Sequence, residues 1–330
     1  MSDDSPAPAT DLNPPAPTIA LIGGSGLGET FKAGDGATVH EHIETPFGRP
    51  SGAVVETTFD GVRVLLLSRH GDGHVLNPSQ VPYRANIFAL KQLGASAILA
   101  SGACGSLREE FAPRDLVIPD QTIDKTHRRA NTFYESAAVH VEFADPFCPV
   151  LRGLLKQAGE AIDAAVHDGG TYVCMEGPSF SSRAESRMHR LWGGDLIGMT
   201  LLPEARLARE AELSYAAVNL VTDYDAWRPR AADAPTDPFE LLSEIIGHLK
   251  QASTSAMSLL RETVKLIAAE PGRLDACPAR EALSLSIWSD KFKLDSGEIE
   301  RLAPLWGRHF RAEGEAISPE NSPAVEDSAS

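Results

Sequence analysis

The sequence predicts an α/β protein with a mixed, largely parallel central sheet flanked by helices. Short apolar segments of strand length alternate along the chain with longer segments of helical periodicity, which is typical of α/β folds. Most of the apolar segments stop at glycine or at a polar residue, as buried strands do where they meet a turn. With 330 residues, the chain is long enough to bury one large core.

The predicted elements follow from these patterns in chain order. The first strand, 18–22, is an apolar run that stops at Gly23-Gly24. Further apolar runs predict strands at 62–67, 97–100, 116–118, 170–175, 196–199 and 216–221. Helical periodicity predicts helices at 86–93, 147–161, 182–192, 204–211 and 239–267.

The chain ends predict segments outside the main domain. Residues 1–17 are rich in proline among small and acidic residues and predict a disordered arm. Residues 18–275 form one predicted catalytic domain. An amphipathic region follows at 276–312 and predicts a helical extension that serves as a cap, an oligomer contact or a lid. Residues 313–330 predict a disordered acidic tail.

Composition excludes several partners. Thirty Lys and Arg against 46 Asp and Glu give a net charge of −16, so nucleic acid and anionic membranes are poor partners. The chain lacks an apolar run of bilayer length and a basic, apolar leader. Its four cysteines have neither CxxC nor metal-ligand spacing, which favours reduced thiols. The sequence therefore predicts a cytoplasmic protein without a metal site.

Glycine-rich turns follow three of the predicted strands. Gly23-Gly-Ser-Gly places Ser25 after the first strand, where small residues let backbone N–H groups approach an anion. A tight turn is the alternative. Ser68-Arg-His-Gly ends the second strand, and its Arg69 and His70 suit an oxyanion as hydrogen-bond donors. A surface arginine and a capping histidine are the alternative there. A third turn spans residues 100–106.

Two further segments carry candidate recognition groups. Phe180, in the Gly-Pro-containing segment 175–185, is placed to present its ring to a planar base. A core phenylalanine is the alternative. Asp223 and Asp225 follow the last predicted strand, where burial would raise a carboxyl pKa and let one of them donate a proton. Caps or loop residues are the alternative for this pair.

Taken together, the motifs resemble the trimeric purine nucleoside phosphorylase family, and within it the enzymes that cleave 5′-methylthioadenosine. The resemblance covers about residues 18–250. It depends on motifs in a fixed order: Gly23-Gly-Ser-Gly, Thr45-Pro-Phe-Gly, Ser68-Arg-His-Gly, Tyr83-Arg-Ala-Asn-Ile, Ala103-Cys-Gly-Ser-Leu, Glu176-Gly-Pro, Phe180-Ser-Ser-Arg-Ala-Glu-Ser, Met199-Thr and Thr222-Asp-Tyr-Asp. The family implies phosphorolysis, in which phosphate attacks C1′ of a purine nucleoside and releases the base.

The resemblance also implies roles for single residues. Phosphate is held by Ser25, Arg69, His70, Thr200 and the backbone N–H of Ala103. The nucleoside is held by Met199 under the ribose, by Phe180 and Ser181 at the purine, and by His140, which reaches the 5′ pocket of a neighbouring subunit. The implied assembly is a homotrimer, and phosphate is a co-substrate with no further cofactor.

The aspartate pair predicts the class of base. Adenine leaves more readily when N7 receives a proton, and its 6-amino group is a donor. Asp223, protonated, would serve N7, while Asp225 would accept from the amino group. Related enzymes for 6-oxopurines carry asparagine at the position of Asp223. The pair therefore favours 6-aminopurine nucleosides. The resemblance implies the products adenine and 5-methylthioribose 1-phosphate.

Several positions depart from the best-known methylthioadenosine enzymes. Gly102 stands where a threonine helps to hold phosphate or ribose, and Gly198 where an asparagine precedes the Met-Thr pair. Ser179, Pro82 and Thr236 also differ. These changes leave alternatives open: a phosphorylase for adenosine, 5′-deoxyadenosine or another purine nucleoside, or a non-catalytic nucleoside-binding protein on the same fold.

Overall fold

The computed structural model describes residues 17–24, 36–228 and 238–310. Ser25 and Thr236 lie outside these ranges. So do the acidic tail and all of the proline-rich arm except residue 17. Within the described ranges, no helix is long and apolar enough to cross a membrane.

Eleven strands of the described residues form one sheet. They are β1 (Ile19–Gly23), β2 (Thr38–His40), β3 (Val54–Phe59), β4 (Val62–Ser68), β5 (Ala97–Ser106), β6 (Leu116–Ile118), β7 (Gln121–Lys125), β8 (Val166–Asp168), β9 (Thr171–Met175), β10 (Leu196–Gly198) and β11 (Ser214–Tyr224). All seven predicted strands are present in this set. The four additional strands, β2, β3, β7 and β8, are short or carry polar residues on one face.

The sheet is mixed and largely parallel, as predicted. Its strands run in the order β2-β3-β4-β1-β5-β10-β9-β7, and β11 pairs with both β5 and β6. Parallel pairing joins β1 to β4 and β5, β5 to β11, β9 to β7 and β10, and β6 to β8. Strands β4, β1, β5 and β11 are neighbours that run parallel to one another, so their carboxyl ends lie at the same edge of the sheet. Ligands of α/β proteins bind at this edge.

The main helices fill the intervals between the strands. They are α1 (Tyr83–Gln92), α2 (Pro149–Gly159), α3 (Arg183–Leu191), α4 (Leu201–Glu210), α5 (Pro238–Ala269), α6 (Ser296–Arg301) and α7 (Ala303–Trp306). Each predicted helix is present with shifted ends. Ser182 precedes helix α3 as its N-cap. Its hydroxyl accepts from the Glu185 amide, and the Glu185 carboxylate accepts from the Ser182 amide, so a capping box fixes the start of the helix.

Side chains of the central strands alternate between two cores. Ile19 and Leu21 of β1 pack into the cluster with α2 and α5, whereas Ala20 and Ile22 pack into the cluster with α1 and α4. This alternation is the period of two expected for a strand with both faces covered. The sheet is therefore a rigid support for the loops at its edge.

The region after residue 276 packs onto this body. Trp306 is buried and its ring lies 4.7 Å from that of Tyr134. Arg308 donates two hydrogen bonds of 2.8 Å to the buried carboxylate of Glu212, in the turn between α4 and β11. These contacts fasten the extension to the core.

Candidate active site

A cavity of about 290 Å³ opens at the carboxyl edge of the sheet. It lies among the ends of β4, β10 and β11, the second half of β5, and one face of α5. The predicted site residues that line it are Arg69, His70, Ala103, Phe180, Ser181, Met199, Thr200, Asp223 and Asp225. The fold thus brings together side chains that lie up to 156 positions apart (69 to 225).

Arg69 lies directly after β4 and is fully buried. Its Nε and Nη2 donate to the two carboxylate oxygens of Glu204 at 2.7 and 2.8 Å, and Nη1 donates to the carbonyl of Ser101 at 2.8 Å. Tyr215 donates a further bond of 2.8 Å to Glu204. A carboxylate thus already occupies two of the guanidinium nitrogens of Arg69, and its role in holding phosphate stays a prediction.

The same ion pair controls the charge state of Arg69. Burial lowers the pKa of Arg69, but the adjacent Glu204 carboxylate raises it above its usual range, so the guanidinium stays charged. Glu204 was not among the predicted site residues. Its only signal in the sequence is its place after Pro203, at the start of a helix that follows the Met-Thr pair.

His70 also differs from its predicted behaviour. Its Nδ1 lies 2.8 Å from the carbonyl oxygen of Leu76, which only accepts, so Nδ1 carries the proton. Burial lowers the pKa of His70 to about 4. His70 is therefore neutral near pH 7, and its Nε2 is an acceptor rather than the expected donor. The ring of His74 stacks on it at 4.1 Å.

Thr200 and Gly102 form the wall beside Arg69. Thr200 precedes α4, lines the cavity and does not use its hydroxyl as a helix cap. A Cβ atom at Gly102 would lie 3.2 Å from Oγ1 of Thr200 and 3.9 Å from Nη1 of Arg69. Position 102 therefore faces the same subsite, and glycine leaves this part of it open. The next residue, Ala103, also lines the cavity.

Phe180 and Met199 also line the cavity. Phe180 is 86% exposed, which excludes the alternative of a core phenylalanine. Met199 packs against Gly177, where an added Cβ would lie 2.4 Å from the methionine sulfur. Ser181 lies beside them with its hydroxyl 3.7 Å from the sulfur of Met175. An uncommitted ring face and a thioether thus border one apolar subsite.

Arg129 holds these segments together, and the sequence motifs gave no indication of it. Its guanidinium donates to the carbonyls of Met199 and Leu202 at 2.6 Å each and to that of Glu176 at 2.7 Å. The Glu176 carboxylate accepts from the amide of His127 at 2.7 Å. Hydrogen bonds of this kind lower the pKa of Glu176 to about 2 despite its burial. This cluster fixes the loops under Phe180 and Met199.

A β-bulge directs the two aspartates into the cavity. In the pairing of β11 with β5, Val221 faces Cys104 and Asp223 faces Gly105, so Thr222 is the extra residue. Beyond the bulge, residues 223 and 225 share one face of the chain. The interpretation of the pair as caps or loop residues is therefore excluded for Asp223, which lies on the strand itself.

The two carboxyl groups have different surroundings. Burial raises the pKa of Asp223, which is the predicted direction, although a 2.7 Å hydrogen bond from the Thr222 hydroxyl opposes the shift. Oδ2 of Asp225 is buried and has no partner among the described residues. One carboxyl group thus favours its protonated form, and the other presents an unused acceptor.

His140 does not line this cavity. Its ring lies 4.6 Å from that of Trp288, and its amide donates to the carbonyl of Ser286 at 2.9 Å. Trp288 is 72% exposed and Leu285 is 89% exposed. His140 therefore lies on an apolar surface of the extension rather than in the site of its own chain.

Comparison with known proteins identifies the family of the chain. The phosphorylase superfamily model matches residues 18–265. The S-methyl-5′-thioadenosine phosphorylase of Thermosynechococcus vestitus is 47% identical over 296 residues, covering 88% of this chain and 99% of that protein. The corresponding protein of Geobacter sulfurreducens is 45% identical over 293 residues, covering 88% and 98%.

Solved structures agree with the sequence matches. A methylthioadenosine phosphorylase from an Antarctic soil metagenomic library has a TM-score of 0.79 and 43% identity, covering 88% of this chain and 99% of that chain. A double mutant of the adenosine/methylthioadenosine phosphorylase of Schistosoma mansoni, solved with adenine, has a TM-score of 0.74 and 36% identity, covering 83% and 100%. These similarities confirm the predicted fold class.

Proposed function

Because the chain belongs to the phosphorylase superfamily, we propose that it is a pentosyltransferase that cleaves 5′-methylthioadenosine with phosphate. The products are adenine and 5-methylthioribose 1-phosphate. The family predicted from the motifs is confirmed, and the relatives named above carry the corresponding activity in their names. The proposed reaction uses phosphate as co-substrate and requires no further cofactor. We also propose a cytoplasmic location, which the four free, buried cysteines support and cell fractionation would test.

The arrangement of the cavity carries the proposal. Arg69 and Thr200 line it together beside Gly102, and Asp223 and Asp225 follow the bulge in β11. Phosphorolysis needs an anion on one side of C1′ and a protonated leaving base on the other, since its transition state resembles an oxocarbenium ion. One cavity offers both sets of groups.

On the phosphate side, one group supplies the positive charge and other groups supply hydrogen bonds that orient the anion. Arg69 keeps its charge but shares it with Glu204, so hydrogen bonds supply the remaining attraction. The Thr200 hydroxyl is a donor. Neutral His70 offers Nε2 as an acceptor for the hydroxyl of hydrogen phosphate. Ser25 and the Ala103 amide are proposed to complete the set.

On the base side, each aspartate has one task. Asp223 in its protonated form donates to N7 of the leaving adenine, which its raised pKa favours. Asp225 accepts from the 6-amino group through Oδ2, which has no other partner among the described residues. Phe180 stacks on the purine and Met199 lies under the ribose, with Ser181 beside them. This division of roles accounts for a preference for 6-aminopurines.

We further propose that the chain assembles as a homotrimer. His140 lies outside its own cavity on a surface with exposed Leu285 and Trp288. This placement suits a residue that completes the 5′ pocket of a neighbouring subunit. Sedimentation should give three chains per particle, and activity should fall on dilution to monomers. Fully active monomers would contradict the assembly.

The decisive experiment is base release from 5′-methylthioadenosine, adenosine and inosine, each with and without phosphate. We expect phosphate-dependent release that is fastest from 5′-methylthioadenosine and slowest from inosine. Adenosine is the second candidate, since the Schistosoma relative carries both substrates in its name. Faster cleavage of adenosine would favour it. Nucleoside binding without turnover would instead favour a non-catalytic binding protein.

A further inference from the structure

Position 198 has no room for a side chain. A Cβ atom there would lie 2.0 Å from Oη of Tyr172 and 2.6 Å from its Cζ, far inside contact distance. The reason is the parallel pairing of β9 and β10, in which Tyr172 faces Leu196 and its side chain extends toward residue 198. Glycine at this position is therefore a requirement imposed by the tyrosine.

The Tyr172 hydroxyl reaches the phosphate side of the cavity wall. It accepts a hydrogen bond of 3.3 Å from the Thr200 amide. Burial raises the pKa of Tyr172 well above its usual range, so the phenol keeps its proton. The neutral phenol is thus an acceptor for the backbone of Thr200.

Other support for Thr200 is sparse on this side. A Cβ atom at position 102 would lie 3.2 Å from Oγ1 of Thr200. Because this residue is glycine, it offers no side chain to fix that hydroxyl. Gly198 offers none either. Since a loosely held backbone segment loses freedom when it binds a ligand, a fixed one binds more tightly. The hydrogen bond between the Thr200 amide and the Tyr172 phenol supplies such a restraint on the segment that carries the threonine hydroxyl.

We propose that Tyr172 is a positioning residue of the phosphate subsite, fixing Thr200 where glycines at 102 and 198 leave it without side-chain support. This inference rests on the proposed function, because it assigns the subsite to the co-substrate. Tyr172 acts through Thr200 and does not itself touch the reacting atoms. Gly198 and Tyr172 form one unit, in which neither residue can be changed alone without effect.

The first test replaces the phenol without changing its ring. Tyr172→Phe should raise the KM for phosphate about fivefold, equivalent to about 1 kcal/mol, because one hydrogen-bonded group is lost. The KM for the nucleoside should change by less than about twofold, because the substitution removes no contact with the nucleoside. The matched control is Tyr134→Phe. Its buried hydroxyl donates to the carbonyl of Glu210 at 3.1 Å, away from the cavity, so the phosphate KM should not change.

The second test uses the steric link. Gly198→Ala should weaken phosphate binding and lower Tm, because the new methyl group displaces the ring. Tyr172→Met in the same chain should restore Tm, since a flexible side chain makes room. It should not restore phosphate affinity, because the hydroxyl is still absent. Recovery of affinity in the double variant would overturn the proposal.

Failure of this inference can be distinguished from failure of the proposed function. Binding of inorganic phosphate alone is measured by its effect on Tm, and turnover is measured separately. If the wild-type protein releases no base in the presence of phosphate, the proposed function is wrong. If phosphate stabilises the wild type and Tyr172→Phe at the same concentrations, the positioning role is wrong whatever the turnover.

Discussion

At the scale of single residues, the strongest prediction concerns Asp223. Asp223→Asn should lower kcat on 5′-methylthioadenosine about 100-fold, because an amide cannot transfer a proton to N7. Tm at pH 7 should not fall, since burial raises the pKa of this carboxyl and its ionised form is the less favourable one in the fold. Kinetics and thermal unfolding on one preparation test both statements. Unchanged turnover would remove Asp223 from the mechanism.

Glu204 gives a second prediction at this scale. Glu204→Gln leaves the buried charge of Arg69 without its partner and should reduce the free energy of unfolding by about 3 kcal/mol or more. Added phosphate should recover more stability in this variant than in the wild type, because the freed guanidinium then pairs with the anion. Thermal unfolding at a series of phosphate concentrations measures the stability that phosphate restores in each protein.

Glu212→Gln is the matched control for that measurement. It breaks a similar bidentate pair, with Arg308, outside the cavity. Its loss of stability should not respond to phosphate beyond the wild-type response. Equal recovery in the two variants would show that Glu204 has no link to the anion subsite.

At the scale of elements, Arg129 is the test of how the loops are held. Arg129→Met leaves the carbonyls of Met199, Leu202 and Glu176 without their donor, and should cost about 3–5 kcal/mol of stability. The KM values for nucleoside and phosphate should both rise, since Met199 and Thr200 belong to the loosened segment.

A comparison with Arg206→Met separates this effect from simple loss of charge. Arg206 pairs with Asp124 at 2.9 Å outside the cavity. In steady-state kinetics, Arg206→Met should have the same KM values for nucleoside and phosphate as the wild type. Arg129→Met with wild-type KM values would mean that the loops keep their positions without the clamp.

The elements also show what could be predicted from the sequence. Apolar strands such as β4 and β6 were predictable because both faces are buried and the residues form one continuous run. Strands β7 and β8 were not, since their half-exposed sequences QTIDK and VHD contain no such run. The bulge at Thr222 depends on pairing with β5, which the local sequence does not specify.

The same distinction holds for the site. Arg69, Thr200 and the aspartates lie in recognisable motifs at strand ends, so their meeting in one cavity was predictable. Partners such as Glu204, Arg129 and Tyr172 lie far along the chain from the groups they hold. Only the three-dimensional structure places them, and it also reverses the expected hydrogen-bonding role of His70.

At the scale of the whole molecule, stability depends on pH through buried carboxyl groups. Burial raises the pKa of Glu210 from 4.5 to about 7. Folding thus favours its protonated form, and this contribution is present below pH 4.5 and lost as pH rises through 7. Glu210→Gln mimics the protonated form and should be about 2–3 kcal/mol more stable than wild type at pH 8, but equal to it at pH 4.5.

Glu56 supplies a control of opposite sign. Hydrogen bonding to Arg63 lowers the pKa of Glu56 to about 2, so its ionised form stabilises the fold above pH 4.5. Glu56→Gln should therefore reduce stability at pH 8 and have less effect as pH falls toward 2. Denaturant unfolding at several pH values measures both variants. A Glu210→Gln effect that is independent of pH would contradict the assignment of its pKa.

The bulge in β11 has a further consequence through His248. This residue of α5 lies with Nδ1 3.0 Å from the Thr222 carbonyl oxygen, so the helix that follows residues 229–237 is tied to the strand that precedes them. The two ends of that interval are thus held by the body of the protein. Substitutions or insertions between residues 228 and 238 are therefore expected to leave the register of Asp223 with β5 unchanged. The interval can then vary in evolution independently of the strand that carries this aspartate.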